Sequence, residues 1–287
     1  MLLDIEGRIA MTVSCHDCDG IPKVETAGQT ITRNGEHVQI MHNGIEVVAG
    51  GYHGDWMQRI IGTLRGHHEP QEELIFDAIL PHCRPNSLMV ELASFWAYYS
   101  LWYLSFVRGS SAICIEPDPL NMQVGKRNAA LNGFADRVGF AEAWIGESAS
   151  PAHEAIGEAY QRPITLPRID AAALLEMIGG RQIELLHMDA QGAELGFLRS
   201  VERARLNERA RFMVISTHHG AISGSATTHI DCLAELERLG ATILCEHSVA
   251  ESFSGDGLIA ASFRKEDAGV RMPTISRNNP DNSLFGA

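Results

Sequence analysis

The sequence predicts an α/β protein: a seven-stranded, mostly parallel sheet with helices on both faces, preceded by a β-rich extension. Three observations carry this. From about residue 67 onward, short apolar runs alternate with segments of helical spacing, the pattern of βαβ units. The last two apolar runs, 241–245 and 258–262, are separated by Ser254-Gly255-Asp256-Gly257, turn chemistry that implies a hairpin-like antiparallel edge. Ahead of residue 67, short β-type runs are separated by Asn34-Gly35 and Asn43-Gly44, which is a hairpin signal.

Each element follows from local chemistry. In the extension, residues 1–66, the β-type runs are Ile31-Thr32, 38–41 and 45–48. Its apolar content is thin, so it reads as an appendage rather than an independent domain. A helix over 72–80 carries Leu74, Ile75, Ala78 and Ile79 at helical spacing, and Pro81 stops it. Residues 87–92 form a buried strand, and a long aromatic helix follows. The run 88–107 is apolar enough to mimic a membrane span, but Glu91 and three serines make it a buried helix of a large domain. A second strand covers 112–115. Asp118 then caps a helix with Pro119 at its first position; Leu120, Val124 and Leu131 share a face, and Asn132-Gly133 ends it. Residues 138–144 form the third strand, 171–178 a helix, 183–188 the fourth strand, 193–201 a helix and 212–216 the fifth strand. Ile230, Leu233, Leu236 and Leu239 define the last helix, which ends at Gly240. The sheet domain thus spans 67–263, and residues 264–287 are a polar tail with a loop at 278–282.

The chain has 287 residues and a formal charge of −13, a poor match to nucleic acid or to an anionic membrane surface. No basic segment leads into an apolar core at the start, so no secretory signal is expected. With only six cysteines, the expectation is a cytoplasmic protein with reduced thiols. Cys15-His16-Asp17-Cys18 has the spacing of half a zinc site, but no matching second half follows, so no metal is assigned to it.

In an open parallel sheet, ligands bind beyond the carboxyl ends of the strands, where strand order reverses. Glu116 ends the second strand, where an acid can accept both hydroxyls of a ribose; the plainer reading is a helix-start acid. Asp189 ends the fourth strand, facing the cleft. His218 and His219 follow the fifth and are candidates for a base. A nicotinamide-dependent oxidoreductase is disfavoured, because residues 92–97 read Leu-Ala-Ser-Phe-Trp-Ala, without a Gly-x-Gly-x-x-Gly turn.

Three blocks in this order resemble the FkbM-type S-adenosylmethionine-dependent methyltransferases. Residues 90–101 follow in outline that family's Val-Asp-x-Gly-Ala-Asn-x-Gly-x-Tyr-Ser. Glu116-Pro117-Asp118-Pro119, with Asn128 and Asn132-Gly133, matches the second block. Residues 186–194, Leu-His-Met-Asp-Ala-Gln-Gly-Ala-Glu, match the third. The resemblance covers about 67–263 and departs at Glu91, one methylene longer than the family's Asp, and at Ala93, Phe95 and Ala97, where the family has Gly, Asn and Gly. It implies a Rossmann-like methyltransferase sheet and S-adenosylmethionine as cofactor. By it, Glu91, Ala93 and Ser94 contact the methionine part, Glu116 and Pro117 the ribose, and Glu142, Ala143 and Trp144 the adenine. Phe95, Trp96, Tyr98 and Tyr99 are candidates for an aromatic wall, which attracts a sulfonium.

The reaction implied is O-methylation of a sugar, glycan or secondary-metabolite hydroxyl, with Asp189, His218 and His219 as candidate bases. A divalent metal on Asp189 and a His is compatible with this but not demanded. Tyr52, Trp56, His68 and Glu69 are candidates for an acceptor site or lid contributed by the extension. The extension's hairpins could also support a homo-oligomer. The rival reading is a degenerate methyltransferase fold serving as a non-catalytic binding or scaffold subunit, motivated by Ala93 and Ala97.

Overall fold

The computed structural model describes residues 4–33 and 35–285. Asn34, half of the expected Asn34-Gly35 turn, lies outside them. The extension contains α1 (Ile5–Val13), a small antiparallel sheet of β1 (Thr30–Arg33), β2 (Glu36–Ile40) and β3 (Glu46–Val48), and α2 (Asp55–Thr63). After α3 (Pro70–Ile79), the main fold runs through β4 (Leu88–Leu92), α4 (Tyr98–Phe106), β5 (Ser111–Ile115), α5 (Pro119–Leu131) and β6 (Val138–Ala141). A second small sheet holds β7 (Trp144–Ile145), β8 (Ser150–Ile156) and β9 (Pro163–Ile169). The chain then completes the fold with α6 (Ala171–Met177), β10 (Ile183–Asp189), α7 (Glu194–Ala204), β11 (Ala210–Thr217), the one-turn α8 (Gly220–Ser223), α9 (Thr228–Arg238), β12 (Thr242–His247) and β13 (Gly257–Ser262).

The seven-stranded sheet has the order β12-β13-β11-β10-β4-β5-β6. Its pairings are parallel except those of β13, which runs antiparallel to both β11 and β12. The reversed strand is therefore not the edge itself: β13 slips between β11 and β12. Strand order reverses between β4 and β10, whose register sets Leu186 beside Val90 and His187 beside Glu91. Every residue of β4 is buried, as expected of a strand covered on both faces. Asp118 caps α5 by accepting from the Leu120 amide at 2.9 Å, with Pro119 at the first position.

Two apolar cores lie on the two faces of the sheet. One is packed by α6, α7 and α9 through Leu174, Phe197, Leu198 and Leu236. The other joins α3 and α4 to the extension, where Met41, Val47, Ile60 and Ile61 are buried with Phe76, Tyr98 and Trp102. The extension is thus not apolar-poor where it counts: Met57, Ile60 and Ile61 form the buried stripe of α2. Nor is the tail a loose polar segment. Ile275 and Leu284 are buried, and Ser276 hydrogen-bonds Asp17 and Gln71. Leu120, expected on the packed face of α5, is exposed.

The third strand is shorter than the sequence implied. It stops at Ala141, the buried Ala143 turns the chain, and Trp144 pairs instead with Arg168 of β9. Hairpin β8–β9 has prolines at 151, 163 and 167 and exposed alternate residues, so it reads as loop and folds as edge strands. Among the described residues, no helix is long and apolar enough to cross a membrane. All six cysteines are free thiols.

Candidate active site

The carboxyl ends of β4, β5 and β10 converge where strand order reverses. A cleft of about 220 Å³ opens there, lined from the sheet by Ala93, Phe95, Glu116, Pro117, Asp189 and Gln191. The extension adds Tyr52 and His53 to its wall, and the β7–β9 sheet adds Trp144, Ile156 and Glu158.

The loop after β4 keeps a glycine-type path without glycine. Ala93, Phe95 and Ala97 all sit in the left-handed region, with φ of 56°, 42° and 61°. Each costs an L-residue roughly 1–2 kcal/mol, so the surroundings must hold the loop in place. Glu116 does much of this: its carboxylate accepts the amides of Phe95 and Asp118, both at 2.8 Å. Burial pushes its pKa up to about 8. Gly125 on α5 makes room for the loop, since a Cβ there would lie 3.2 Å from the Phe95 carbonyl oxygen.

Glu91 lies below the cleft, not in it. It is buried, accepts the Ser100 amide at 3.0 Å in the first turn of α4, and is pushed upward in pKa by burial. Ser94 is buried next to the lining, and its hydroxyl has no hydrogen-bond partner among the described residues. Tyr98 points into the core, where its hydroxyl meets His42 Nδ1 at 3.1 Å. Trp144 reaches the cleft wall, but Glu142 and Ala143 do not line it.

At the far end, Asp189 meets His218, whose Nε2 lies 3.1 Å from Asp189 Oδ1. The other ring nitrogen of His218 binds Glu194 Oε1 at 2.7 Å, and Glu194 is itself held by the amides of Ala190 and Gly192. Asp256, from the β12–β13 connection, stands 3.6 Å from His218 Nε2. Burial opposes charge on His218, but Asp256, Asp189 and Glu194 outweigh it and hold its pKa well above the usual histidine value. Burial likewise opposes the Asp189 charge, and His218 outweighs it, leaving the carboxyl lowered. Burial pushes Asp256 up to about 7.

His219 faces away. Its ring caps α8 through the Ala221 amide and stacks on Phe285 at 4.2 Å. Tyr52 lies flat on Trp96, with ring centres 4.5 Å apart and planes 4° apart. Trp56 sits behind His53 beneath the Arg8 guanidinium and does not line the cleft. His68 and Glu69 are buried behind Tyr52: His68 Nδ1 is 2.5 Å from Glu73, and Glu69 accepts from the Tyr99 hydroxyl. Neither offers an open acceptor surface. Below them Glu72 bridges the sheet, 2.6 Å from His187 Nε2 and 2.5 Å from the Ser216 hydroxyl. Cys15 and Cys18 are buried, with thiols pushed to about 12 by burial, while His16 is exposed and pairs with Asp19.

Sequence reasoning missed His53, Gln191, Glu194 and Asp256. Glu194 stood within the third block, and Asp256 was visible only as a turn residue. The donor set suits a nucleoside with a polar tail: a buried acid at the tip of β5, an indole on the wall, and Ser94 Oγ and Asp189 Oδ1 as buried oxygens lacking an aligned hydrogen bond.

Among solved structures, the chain is similar to an O-methyltransferase of Bacillus cereus in complex with SAH, at 13% identity over 68% of this chain and 80% of that one, TM-score 0.42. It is also similar to a ribosomal protein L11 methylase of Lactobacillus delbrueckii subsp. bulgaricus, at 12% identity over 69% and 79%, TM-score 0.44. A precorrin-6y C5,15-methyltransferase of Geobacter metallireducens matches at 11% identity over 66% and 86%, TM-score 0.42. No curated protein matches the sequence. The methyltransferase FkbM domain matches residues 92–243, more than half of the chain, taking in the first block from Leu92 onward and the whole of the second and third. With that match, the chain belongs to the FkbM family of S-adenosylmethionine-dependent methyltransferases.

Proposed function

We propose that this methyltransferase acts on a hydroxyl oxygen of a sugar, glycan or secondary metabolite, with Asp189 as the base. The observation that carries the reading is the Asp189–His218–Glu194 series, with Asp189 on the cleft wall and the other two buried behind it. Bound S-adenosylmethionine supplies an electrophilic methyl group. Glu116, Pro117 and Trp144 would hold its nucleoside, with Ser94 and Ala93 toward the methionine part. The work left to the protein is to seat the acceptor, strip its proton and keep water out. Asp189 faces the cleft as a carboxylate, placed to take that proton; the methyl would come from the cofactor's sulfonium, whose S–C bond would break to leave a neutral thioether. His218, fixed by Glu194, orients the carboxylate and balances its charge. Tyr52, His53 and Phe95 shield the cleft. The acidic charge of the chain also favours a small acceptor over nucleic acid.

The test pairs calorimetry with turnover on a panel of hydroxylated acceptors. Wild type should bind S-adenosylmethionine at micromolar concentration. Asp189→Asn should lose about 10²–10⁴-fold in kcat while its cofactor affinity stays close to wild type. Undiminished turnover by Asp189→Asn would remove the base assignment. A folded protein without cofactor binding up to millimolar would favour the non-catalytic scaffold.

A further inference from the structure

A second constellation lies away from the cleft, where the extension meets α3 and α4. His42 follows β2, His67 follows α2, and Glu73 is on α3; all three side chains are almost wholly buried. The two imidazoles are stacked, with ring centres 4.1 Å apart and planes 12° apart, and present their Nδ1 atoms to one carboxylate oxygen. His67 Nδ1 is hydrogen-bonded to Glu73 Oε2, and His42 Nδ1 lies 3.9 Å from the same atom. One atom from each of the three residues falls within 4.8 Å of the others. The second oxygen of Glu73 has His68 Nδ1 at 2.5 Å, yet that nitrogen makes no aligned hydrogen bond and is buried. No Lys or Arg pairs with Glu73 among the described residues; its ion-pair partners there are these imidazoles.

We propose that His42, His67 and Glu73 form a buried site for a divalent transition metal, zinc by preference, with a water as the fourth ligand. Two imidazole nitrogens and one carboxylate oxygen suit a tetrahedral ion of borderline softness and do not suit calcium or magnesium. The imidazoles bind through Nδ1 as neutral rings, so a neutral ring must carry its one proton on Nε2, and only a doubly protonated ring releases a proton to solvent when the ion enters. A second observation supports access. A cavity of about 320 Å³ opens on His42, and Asp77 lines it beside Lys23, Asn43 and Phe106. The ion would tie three separate stretches together. It would also bear on α4 from beneath, since the His42 ring packs edge-on against Trp102 at 4.4 Å, while the Tyr98 hydroxyl, which meets His42 Nδ1, would give that nitrogen up to the ion.

The experiment measures metal in the full-length chain by mass spectrometry, after zinc loading and removal of free ion. About one zinc per chain is expected, falling below about 0.1 in His67→Gln and in His42→Gln. His153→Gln, on the exposed hairpin, should keep its metal. Cobalt loading should give visible ligand-field bands of tetrahedral strength. Chelation should lower the Tm of the wild type by roughly 5 °C or more. Should the variants fail to fold, the cobalt spectrum and the chelator response of the wild type decide. A folded wild-type chain that retains no zinc, shows no cobalt bands and melts identically with chelator overturns the proposal.

Discussion

Glu116 serves two demands that pull against each other. Its oxygens must hold the amides that keep Phe95 at positive φ, which favours a carboxylate, while its burial favours the protonated acid. Burial wins, and the pKa stands at about 8 rather than 4.5. Such a carboxyl binds its proton more tightly folded than unfolded. Its stabilising contribution is therefore complete below about pH 4.5 and is lost as pH rises through 8. Asp256, raised to about 7, adds a loss in the same direction. Urea midpoints taken from pH 5 to pH 9 should fall by an amount worth a few kcal/mol, and Glu116→Gln should remove a large part of that slope. An unchanged slope in Glu116→Gln would place the titration elsewhere. Residue types at the strand tips were legible because position fixes their exposure to the cleft: Glu116 and Asp189 both line it. Side-chain direction was not. Tyr98 and Glu91 lie within the matched block but turn inward, and His219 turns onto Phe285 while its neighbour His218 faces Asp189. Nothing in a sequence pattern distinguishes two adjacent histidines after a strand.

At the level of elements, α5 does more than cross between strands. Asn128 Oδ1 accepts the Val48 amide at 2.8 Å, and Asn132 Oδ1 accepts the Glu46 amide at 2.9 Å, so two side chains substitute for a strand along the free edge of β3. Asn128 is fully buried and also donates to the Trp96 carbonyl, joining the extension to the loop that floors the cleft. Replacing it with Ala leaves buried backbone groups unpaired. Asn128→Ala should cost about 1–3 kcal/mol in urea unfolding and should weaken cofactor binding as well. A stability loss with wild-type cofactor affinity would show that the link does not reach the cleft. The parallel strands and their helices were readable because burial on both faces makes a strand mostly apolar, as in β4, where Glu91 is the one charged residue. What escaped were elements whose cues conflict. Gly7 sits inside α1, α2 follows a glycine-rich turn, and Pro151, Pro163 and Pro167 interrupt the β8–β9 hairpin. In each case tertiary packing outvotes local propensity.

The molecule as a whole is held by contacts far apart in sequence. The extension fills one core with Met41, Val47, Ile60 and Ile61 and contributes Tyr52 and His53 to the cleft, so it is structural and site-forming at once. Its thin apolar content hid this: a few well-placed side chains suffice when α3 and α4 supply the rest. A fragment of residues 67–287 should therefore lose its cooperative thermal transition and its near-ultraviolet aromatic signal. A fragment that melts cooperatively and binds cofactor would refute that dependence. The buried bridge at Glu72 has a temporal corollary. Its partners His187 and Ser216 lie 115 and 144 residues downstream. At roughly 5–20 residues per second of synthesis, α3 leaves the ribosome about 7–30 s before Ser216 does. Until His187 emerges, after about 6–23 s, Glu72 has neither of its sheet partners, and the aromatic helix behind it has β4 and β5 but not the remaining central strands. Nascent chains shorter than about 216 residues are consequently the form of this protein most exposed to chaperones, proteases and self-association.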